Sequence, residues 1–150
     1  MRILDKEKIN YYIHEYQWDE KHLDAMSVAD KTGKPYHKIF KTLAAVGDKT
    51  GVIIACIPSE RELDLKAAAK ISDNKKVDML PMKKLEETTG YIRGGCSPIG
   101  MKKHYPTYLS SDAESQDTII ISAGKRGLQV ELSPDDLQQM TDAVFGNLTM

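Results

Sequence analysis

The chain has 150 residues, of which 41% are hydrophobic and 29% charged, and its formal net charge is −1. This length and apolar content predict one domain over residues 1–150 with a core of ordinary size. The near-neutral charge excludes a protein that coats nucleic acid along its whole surface, although it is compatible with a local basic patch. Two cysteines, Cys56 and Cys96, are too few for a disulfide framework or a cysteine-based zinc site.

The sequence contains no run of apolar residues long enough to span a bilayer, and its first residues have no apolar segment of the signal-peptide type. We therefore expect a cytoplasmic protein.

The first half of the chain predicts two helices and a hairpin. Ile9, Tyr12, Ile13 and Tyr16 recur at helical spacing, which predicts an amphipathic helix over residues 5–16. A shorter helix is predicted at residues 27–31. Apolar runs at residues 39–46 and 52–58, separated by a glycine-bounded turn, predict a hairpin of two buried strands, and Cys56 is expected in the core.

The second half predicts three helices and four strands. Three consecutive alanines favour one helix, Pro81 suits the first turn of the next, and Ser133-Pro134-Asp135-Asp136 combines an N-cap, a proline at N1 and first-turn acids. The helices are predicted at residues 63–71, 81–88 and 133–145, and the strands at 76–80, 107–110, 118–122 and 128–132. The β-branched run at 118–122 is expected to be covered on both faces. This order is typical of a mixed α/β fold with neighbouring antiparallel strands.

The segment from Thr89 to Gly100 contains four glycines and Pro98, a composition that predicts a preset loop. Glycine lets backbone N–H groups approach a ligand, and proline fixes its own φ and restricts the residue before it. The composition alone fits a ligand cradle and a tight structural turn about equally well.

This loop contains two candidate nucleophiles, Ser97 and Cys96. Ser97 is excluded as the nucleophile of a hydrolase elbow, because the following residue must donate its N–H to the oxyanion and Pro98 has none. Cys96 would need a histidine base, and the four histidines show no diagnostic spacing, so a cysteine nucleophile stays a minor alternative. No histidine pair has a metal-binding spacing, and the loop lacks the signatures of a P-loop or a dinucleotide site.

Lysine is unusual inside an apolar strand, and Lys41 lies within the run 39–46. Periodicity alone favours a solvent-facing side chain, and a ligand contact is the alternative.

Basic residues cluster in sequence around the glycine loop at residues 89–100 and around a second glycine loop at residues 124–127. If the two loops adjoin, these residues form a basic rim suited to phosphodiesters. They are Arg93, Lys102, Lys103, His104, Lys125 and Arg126.

Taken together, the motifs resemble the YbaK-type aminoacyl-tRNA deacylases, which are related to the editing domain of bacterial prolyl-tRNA synthetases. The resemblance covers residues 16–137 in the family's order. It rests on Phe40-Lys41-Thr42-Leu43, Leu63-Asp64-Leu65-Lys66, Lys75-Lys76-Val77, Thr89-Gly90-Tyr91, the run from Gly94 to Lys103, and Ser122-Ala123-Gly124-Lys125-Arg126-Gly127-Leu128.

The resemblance implies a mixed, largely antiparallel sheet curled into a partly closed barrel with flanking helices. It also implies release of a mischarged amino acid from the 3′ end of tRNA, with Cys-tRNA(Pro) as the main substrate, Cys-tRNA(Cys) as another, and no cofactor or metal. A cysteinyl substrate could assist its own release through its thiol. The tRNA would be selected partly by prolyl-tRNA synthetase.

The resemblance also implies roles for particular residues. Lys41, Gly94 and Gly95 are the expected catalytic residues, and the basic residues Lys102, Lys103, Lys125 and Arg126 are expected to bind tRNA. The expected substrate-binding residues are Tyr16, Cys96, Ser97, Pro98, Ser122 and Gln129. Two of these depart from the family's pattern, which has an acidic residue at 129 and an aliphatic one at 96, so the preferred amino acid could differ.

Three alternatives stay open from the sequence. The first is a noncatalytic module that binds the tRNA 3′ end in the same pocket. The second is an editing enzyme for another small amino acid, alanine or serine. The third is an esterase or thioesterase for small molecules.

Overall fold

The computed structural model describes residues 2–6 and 8–150, and within them it has five α-helices, three short 3₁₀ helices and eight strands. The α-helices are α1 (Arg2–Lys6), α2 (Ala25–Thr32), α3 (Leu65–Ile71), α4 (Leu85–Thr89) and α5 (Pro134–Thr141). The 3₁₀ helices are Tyr36–Lys38, Met82–Lys84 and Ser111–Ser115. The strands are β1 (Tyr11–Glu15), β2 (Phe40–Gly47), β3 (Gly51–Pro58), β4 (Val77–Met79), β5 (Thr107–Ser110), β6 (Ile119–Lys125), β7 (Leu128–Leu132) and β8 (Val144–Gly146).

The strands form two sheets, one in the order β1-β7-β6 and the other in the order β4-β2-β3-β5-β8. Pairing is antiparallel except between β3 and β5 and between β5 and β8. This confirms the mixed, largely antiparallel α/β fold. The partly closed barrel is not confirmed, because in the described chain the backbone pairing between the two sheets is a single parallel bridge, Ile39 to Ile120.

The main hydrophobic core contains residues from both sheets. Phe40 and Ile54 from the larger sheet cluster with Ile121 and Val130 from the smaller one. Cys56 belongs to the same cluster and is 1% exposed, which confirms its predicted place in the core. A second cluster packs α3 on the larger sheet.

The hairpin and most later elements agree with the sequence predictions. β2 and β3 pair along their whole length, from Phe40 opposite Pro58 to Gly47 opposite Gly51. The predicted N-cap Ser133 accepts a hydrogen bond from the N–H of Asp135 at the start of α5. The β-branched start of β6 is buried on both faces, as predicted. No helix in the described residues is long and apolar enough to cross a membrane.

The predicted helix over residues 5–16 is wrong, although residue 7 lies outside the described part of the chain. The chain leaves α1 with Lys8 at a positive φ of 58° and then forms β1. β1 pairs antiparallel with β7, with Tyr11 opposite Leu132 and Glu15 opposite Leu128. Tyrosine and isoleucine favour strands when a partner strand is available, and this pairing overrides the helical spacing.

The last predicted helix is too long. It was expected to reach Phe145, but α5 ends at Thr141 and Asp142 takes a left-handed conformation with φ 55°. Residues 144–146 then pair parallel with β5 as β8. A free sheet edge gives the backbone hydrogen bonds that end the helix at this point.

Candidate active site

A cavity of about 290 Å³ lies where five parts of the fold meet: the start of α2, the first half of β2, the start of α4 with the 3₁₀ helix before it, the glycine loop before β5, and the pair β6 and β7. Its walls are mainly apolar, with side chains such as Leu23, Val28, Phe40, Leu43 and Leu85. The structure brings six of the predicted site residues to this cavity. They are Tyr16, Lys41, Gly94, Cys96, Ser122 and Gln129.

Lys41 lies on β2 and lines the cavity with a partly buried side chain. Among the described residues, none forms an ion pair or a hydrogen bond with its ammonium group. The solvent-facing alternative from periodicity therefore gives way to a cavity-facing lysine. An unpaired cation in a mainly apolar wall is suited to an anionic or strongly polar ligand.

The glycine loop holds a fixed shape through its own hydrogen bonds. The Gly95 N–H donates to Ile92 O at 3.0 Å, and the Tyr91 hydroxyl donates to Ile99 O at 2.5 Å. Gly94 has a φ of 86°, a region that side chains disfavour, and a Cβ there would lie 3.0 Å from Leu23 Cδ2. Gly94 is thus the loop residue whose backbone can face the cavity without a side chain in between.

The two glycine loops adjoin, as the basic-rim hypothesis required. A Cβ on Gly95 would lie 3.2 Å from both the Arg126 N and the Lys125 carbonyl carbon, a tight contact with backbone atoms that favours glycine at this position. Arg126 Nε also donates to Arg93 O at 2.8 Å. Gly95 is buried at this contact and is not among the cavity-lining residues.

Cys96 faces the cavity as a neutral thiol. Burial raises its pKa to about 11, while a hydrogen bond with Thr89 acts in the opposite direction. No described histidine lines the cavity to serve as its base. His14 lies one strand away, opposite Gln129, but its Nε2 is 2.8 Å from Glu131 Oε1. This arrangement disfavours a cysteine nucleophile.

Ser97 and Pro98 are placed behind the cavity wall. Ser97 is fully buried, and its hydroxyl oxygen accepts a hydrogen bond from the Ile99 N–H at 3.2 Å. Pro98 is buried and lines a separate, smaller cavity. In this arrangement both residues shape the loop from behind.

Gln129 and Ser122 form a cross-strand pair between β7 and β6, and both side chains reach the cavity. Gln129 is only 5% exposed, and its side-chain oxygen has no hydrogen-bond partner among the described residues. A buried amide oxygen without a partner costs free energy. Gln129 is therefore a candidate for a polar contact with a bound ligand.

Sequence reasoning missed one wall of the cavity, the segment from Leu23 to Val28. Asp24 is the N-cap of α2, where its carboxylate accepts hydrogen bonds from Ser27 Oγ at 2.7 Å and Ser27 N at 3.1 Å. The Ser27 hydrogen bond lowers the pKa of Asp24, and the charge of Arg93 acts in the same direction. The Asp24–Ser27 spacing is an N-cap signal that could have placed the helix start, but not the cavity beside it.

The predicted tRNA-binding residues fall into two groups. Lys125 and Arg126 line a cleft next to the cavity. Tyr16 lines both the cleft and the cavity. Lys102 and Lys103 are exposed elsewhere: Lys102 Nζ donates to Glu87 O at 3.2 Å, and Lys103 borders the small cavity behind the loop. The described residues contain no cluster of metal-ligating side chains.

Comparison with known proteins defines the class to which this fold and cavity belong. The profile of the aminoacyl-tRNA editing domain matches residues 20–140, which is most of the chain. The chain therefore belongs to the aminoacyl-tRNA editing domain family.

A particular relative narrows the comparison. The chain is 54% identical over 149 residues to EbsC of Enterococcus faecalis, which is described as a candidate Cys-tRNA(Pro)/Cys-tRNA(Cys) deacylase. The match covers 99% of this chain and 91% of that protein.

Solved structures confirm the fold. A structure described as a candidate trans-editing enzyme for prolyl-tRNA synthetase matches with a TM-score of 0.81 at 23% identity, over 93% of this chain and 87% of its own. A hypothetical protein matches with a TM-score of 0.88 at 19% identity, over 99% of this chain and 97% of its own. At these identities the likeness concerns the fold alone.

Proposed function

We propose that the chain is a trans-editing deacylase that releases cysteine from Cys-tRNA(Pro), acting as one editing domain over residues 1–150. The observation that carries this proposal is a small cavity lined by both Lys41, whose ammonium group has no partner among the described residues, and Gly94, which presents no side chain. The membership of the family and the name of the E. faecalis relative support the reaction and the amino acid. That name also makes Cys-tRNA(Cys) a substrate to test.

The chemistry assigned to the cavity needs no protein nucleophile. Water adds to the ester carbon, the bond to the ribose oxygen breaks, and that oxygen leaves with a proton as the free hydroxyl of the tRNA. A backbone N–H aimed at the developing oxyanion is worth roughly 3 kcal/mol in such reactions. The ester is already reactive, so this stabilisation and correct positioning suffice.

The N–H of Gly94 is assigned to the oxyanion. The Gly95 N–H already donates to Ile92 O, so Gly95 contributes by holding the loop against residues 125–126. Ser97 and Pro98 support the same loop from behind. Lys41 is assigned to the terminal nucleotide of the tRNA, because its ammonium group has no partner in the described part of the chain and the nucleotide supplies oxygen acceptors.

The amino acid is assigned to the part of the cavity lined by Tyr16, Cys96, Ser122 and Gln129. The volume of about 290 Å³ is at the small end of ligand pockets, which begin at ~300 Å³. Such a cavity suits a small side chain such as that of cysteine. The buried oxygen of Gln129 provides an acceptor for a donor group of the amino acid.

Partner and location follow from the substrate. The chain would act in the cytoplasm, where charged tRNA is used. A single cavity at the tRNA end cannot read the anticodon, so prolyl-tRNA synthetase is proposed to supply part of the tRNA selection. The fold of the structure described as a trans-editing enzyme for that synthetase is consistent with this partner.

The test is release of the amino acid from tRNA(Pro) charged with cysteine, alanine or serine, and from Cys-tRNA(Cys), by the purified chain with and without prolyl-tRNA synthetase. We expect fastest release from Cys-tRNA(Pro). Faster release of alanine or serine would overturn the assignment to cysteine. Binding of every charged tRNA with no release above the spontaneous rate would show a noncatalytic end-binding module instead.

A further inference from the structure

A second cleft lies beside the active-site cavity and has no role in the chemistry assigned above. Its volume is about 440 Å³, and two segments line it, residues 15–18 at the end of β1 and residues 125–128 at the turn that joins β6 to β7. Tyr16 lines both the cavity and the cleft, so the two are continuous at this residue.

The cleft presents an indole ring held in place by its surroundings. Trp18 is 44% exposed although the Arg126 guanidinium lies over it, with Cζ 5.2 Å from the ring centroid. Gly127 allows this approach: with φ at 85°, its Cβ would lie 2.8 Å from Trp18 Cδ1 and 2.9 Å from Tyr16 O. The Tyr16 N–H also donates to Gly127 O at 2.9 Å, which fixes the two segments together.

The charges of the cleft suit a nucleic acid strand. Lys125 and Arg126 are its cations and Glu15 is its one acid. Proteins that bind single-stranded nucleic acids combine such cations, which follow the phosphates, with aromatic rings on which the bases stack. The cleft has the cations and the aromatic ring that such binding requires, because Lys125, Arg126 and Trp18 all line it. It also adjoins the cavity proposed for the terminal aminoacyl group.

We propose that this cleft binds an unpaired nucleotide of the tRNA 3′ end, with its base stacked on Trp18 and its phosphate beside Lys125. This inference rests on the proposed function, because it places the aminoacyl group in the adjoining cavity. The base immediately before the terminal nucleotide is the one that the continuity through Tyr16 brings to the cleft.

Trp18 is the single tryptophan of the chain, so its fluorescence reports on the cleft directly. The probe is an uncharged acceptor-stem minihelix with its unpaired 3′ end, compared with the same duplex trimmed to a blunt end. We expect saturable quenching by the first and none by the second. Equal quenching by both, or binding seen by anisotropy without any quenching, would overturn the proposal.

Substitution gives a second readout. Trp18→Ala should weaken binding of the unpaired minihelix roughly 5- to 150-fold, the range for loss of one base–aromatic stack, and Trp18→Phe should restore most of it. Tyr12→Ala removes another exposed aromatic side chain on the nearby strand and should bind as the wild type does. Folding is checked by circular dichroism, and a folded Trp18→Ala with wild-type affinity would refute the stacking site.

Failure of this inference and of the proposed function can be told apart. Quenching of Trp18 by the uncharged minihelix without any release from charged tRNA would refute the deacylase and uphold the cleft. Release from charged tRNA without quenching would refute the cleft alone.

Discussion

Lys41 brings an ammonium group from an apolar strand to the cavity, and no described side chain neutralises it. We predict that Lys41→Ala lowers the single-turnover rate of Cys-tRNA(Pro) deacylation about 100-fold, because Lys41 is proposed to hold the terminal nucleotide and a misplaced ester reacts more slowly by roughly this factor. The free energy of unfolding should change by less than about 1 kcal/mol, since no protein partner is lost. Rapid-quench deacylation and thermal melting measure the two effects.

Lys49→Ala is the matched control, because Lys49 is exposed in the turn at the other end of β2. It should keep the wild-type rate. Near-normal turnover by a folded Lys41→Ala protein would remove Lys41 from the proposed site.

The backbone of the loop and its thiol can be separated by two substitutions. Gly94→Ala places a methyl group at a positive φ and 3.0 Å from Leu23 Cδ2, so it should lower the deacylation rate about 100-fold. Cys96→Ala should keep most of the rate, because burial holds this thiol neutral with its pKa at about 11. The measurement is the single-turnover rate of each variant, with thermal melting to show that Gly94→Ala is folded. An inactive Cys96→Ala beside an active Gly94→Ala would restore the cysteine nucleophile.

The sequence alone assigned some residues to the candidate site and could not assign others. Lys41 stood out because a cation in an apolar run is chemically unusual, but only the fold shows that it faces a cavity. Asp24 is an ordinary N-cap in sequence, and it reaches the site because Ala29 of α2 clusters with Ile120 of the smaller sheet. Gly95 looked equivalent to Gly94, and the difference between them depends on a contact with residues 125–126 that is distant in sequence.

Lys125 and Arg126 lie in the cleft beside the active-site cavity. Lys102 and Lys103 lie on a different surface, behind the glycine loop. We predict that the double variant Lys102→Ala/Lys103→Ala weakens tRNA binding and lowers the slope of log affinity against log salt by roughly 0.7 to 0.9 for each lost phosphate contact. Turnover at saturating tRNA should change little, since neither side chain lines the active-site cavity. Binding titrations at several salt concentrations measure the slope.

The matched control is Lys75→Ala/Lys76→Ala, another pair of adjacent exposed lysines. These lie beside Asp48, which accepts both of their backbone N–H groups at the far end of β2 from Lys41. If the slope falls equally in both double variants, or in neither, Lys102 and Lys103 are solvated loop charges and not a tRNA contact.

At the scale of elements, local signals predicted what local chemistry determines. The hairpin β2–β3, the strands β5 and β7 and the start of α5 follow from alternation, turn residues and caps. β1 and β8 did not, because each is a short segment that becomes a strand through its partner, β7 in one case and β5 in the other. The separation into two sheets likewise depends on pairing between residues that are distant in sequence. The family resemblance implied a partly closed barrel instead, and the two sheets do not confirm it.

A polar network links β7 of the smaller sheet to β1 and to the residues that precede β2 and β6. Glu131 on β7 contacts His14 Nε2 at 2.8 Å, Lys38 Nζ at 3.2 Å and the hydroxyl of Thr118. Burial alone would raise the pKa of Glu131, but the hydrogen bonds from Thr118, His14 and Lys38 and the Lys38 charge outweigh it and lower the pKa to about 2. The ionised carboxylate is therefore stabilised in the folded protein.

We predict that the protein loses stability in acid and that protonation of Glu131 accounts for part of this loss. Because its pKa in the folded state is below the ordinary 4.5, the contribution of Glu131 is fully present above pH 4.5 and is lost as the pH falls through about 2. Glu131→Gln should thus be less stable than the wild type at neutral pH, and the difference should shrink between these values. Thermal melts across this range measure it, with the exposed Glu114→Gln as control. A constant difference at every pH would contradict the assignment.

For the molecule as a whole, we expect the cavity to release an amino acid from tRNA without a covalent intermediate on the protein. The most direct measurement follows one turnover of Cys-tRNA(Pro) with excess protein, recording released cysteine and the intact mass of the protein at each time point. We predict release well above the spontaneous rate while the mass of the protein stays unchanged throughout. Release through a cysteinyl adduct on Cys96, or no release above the spontaneous rate, would contradict it.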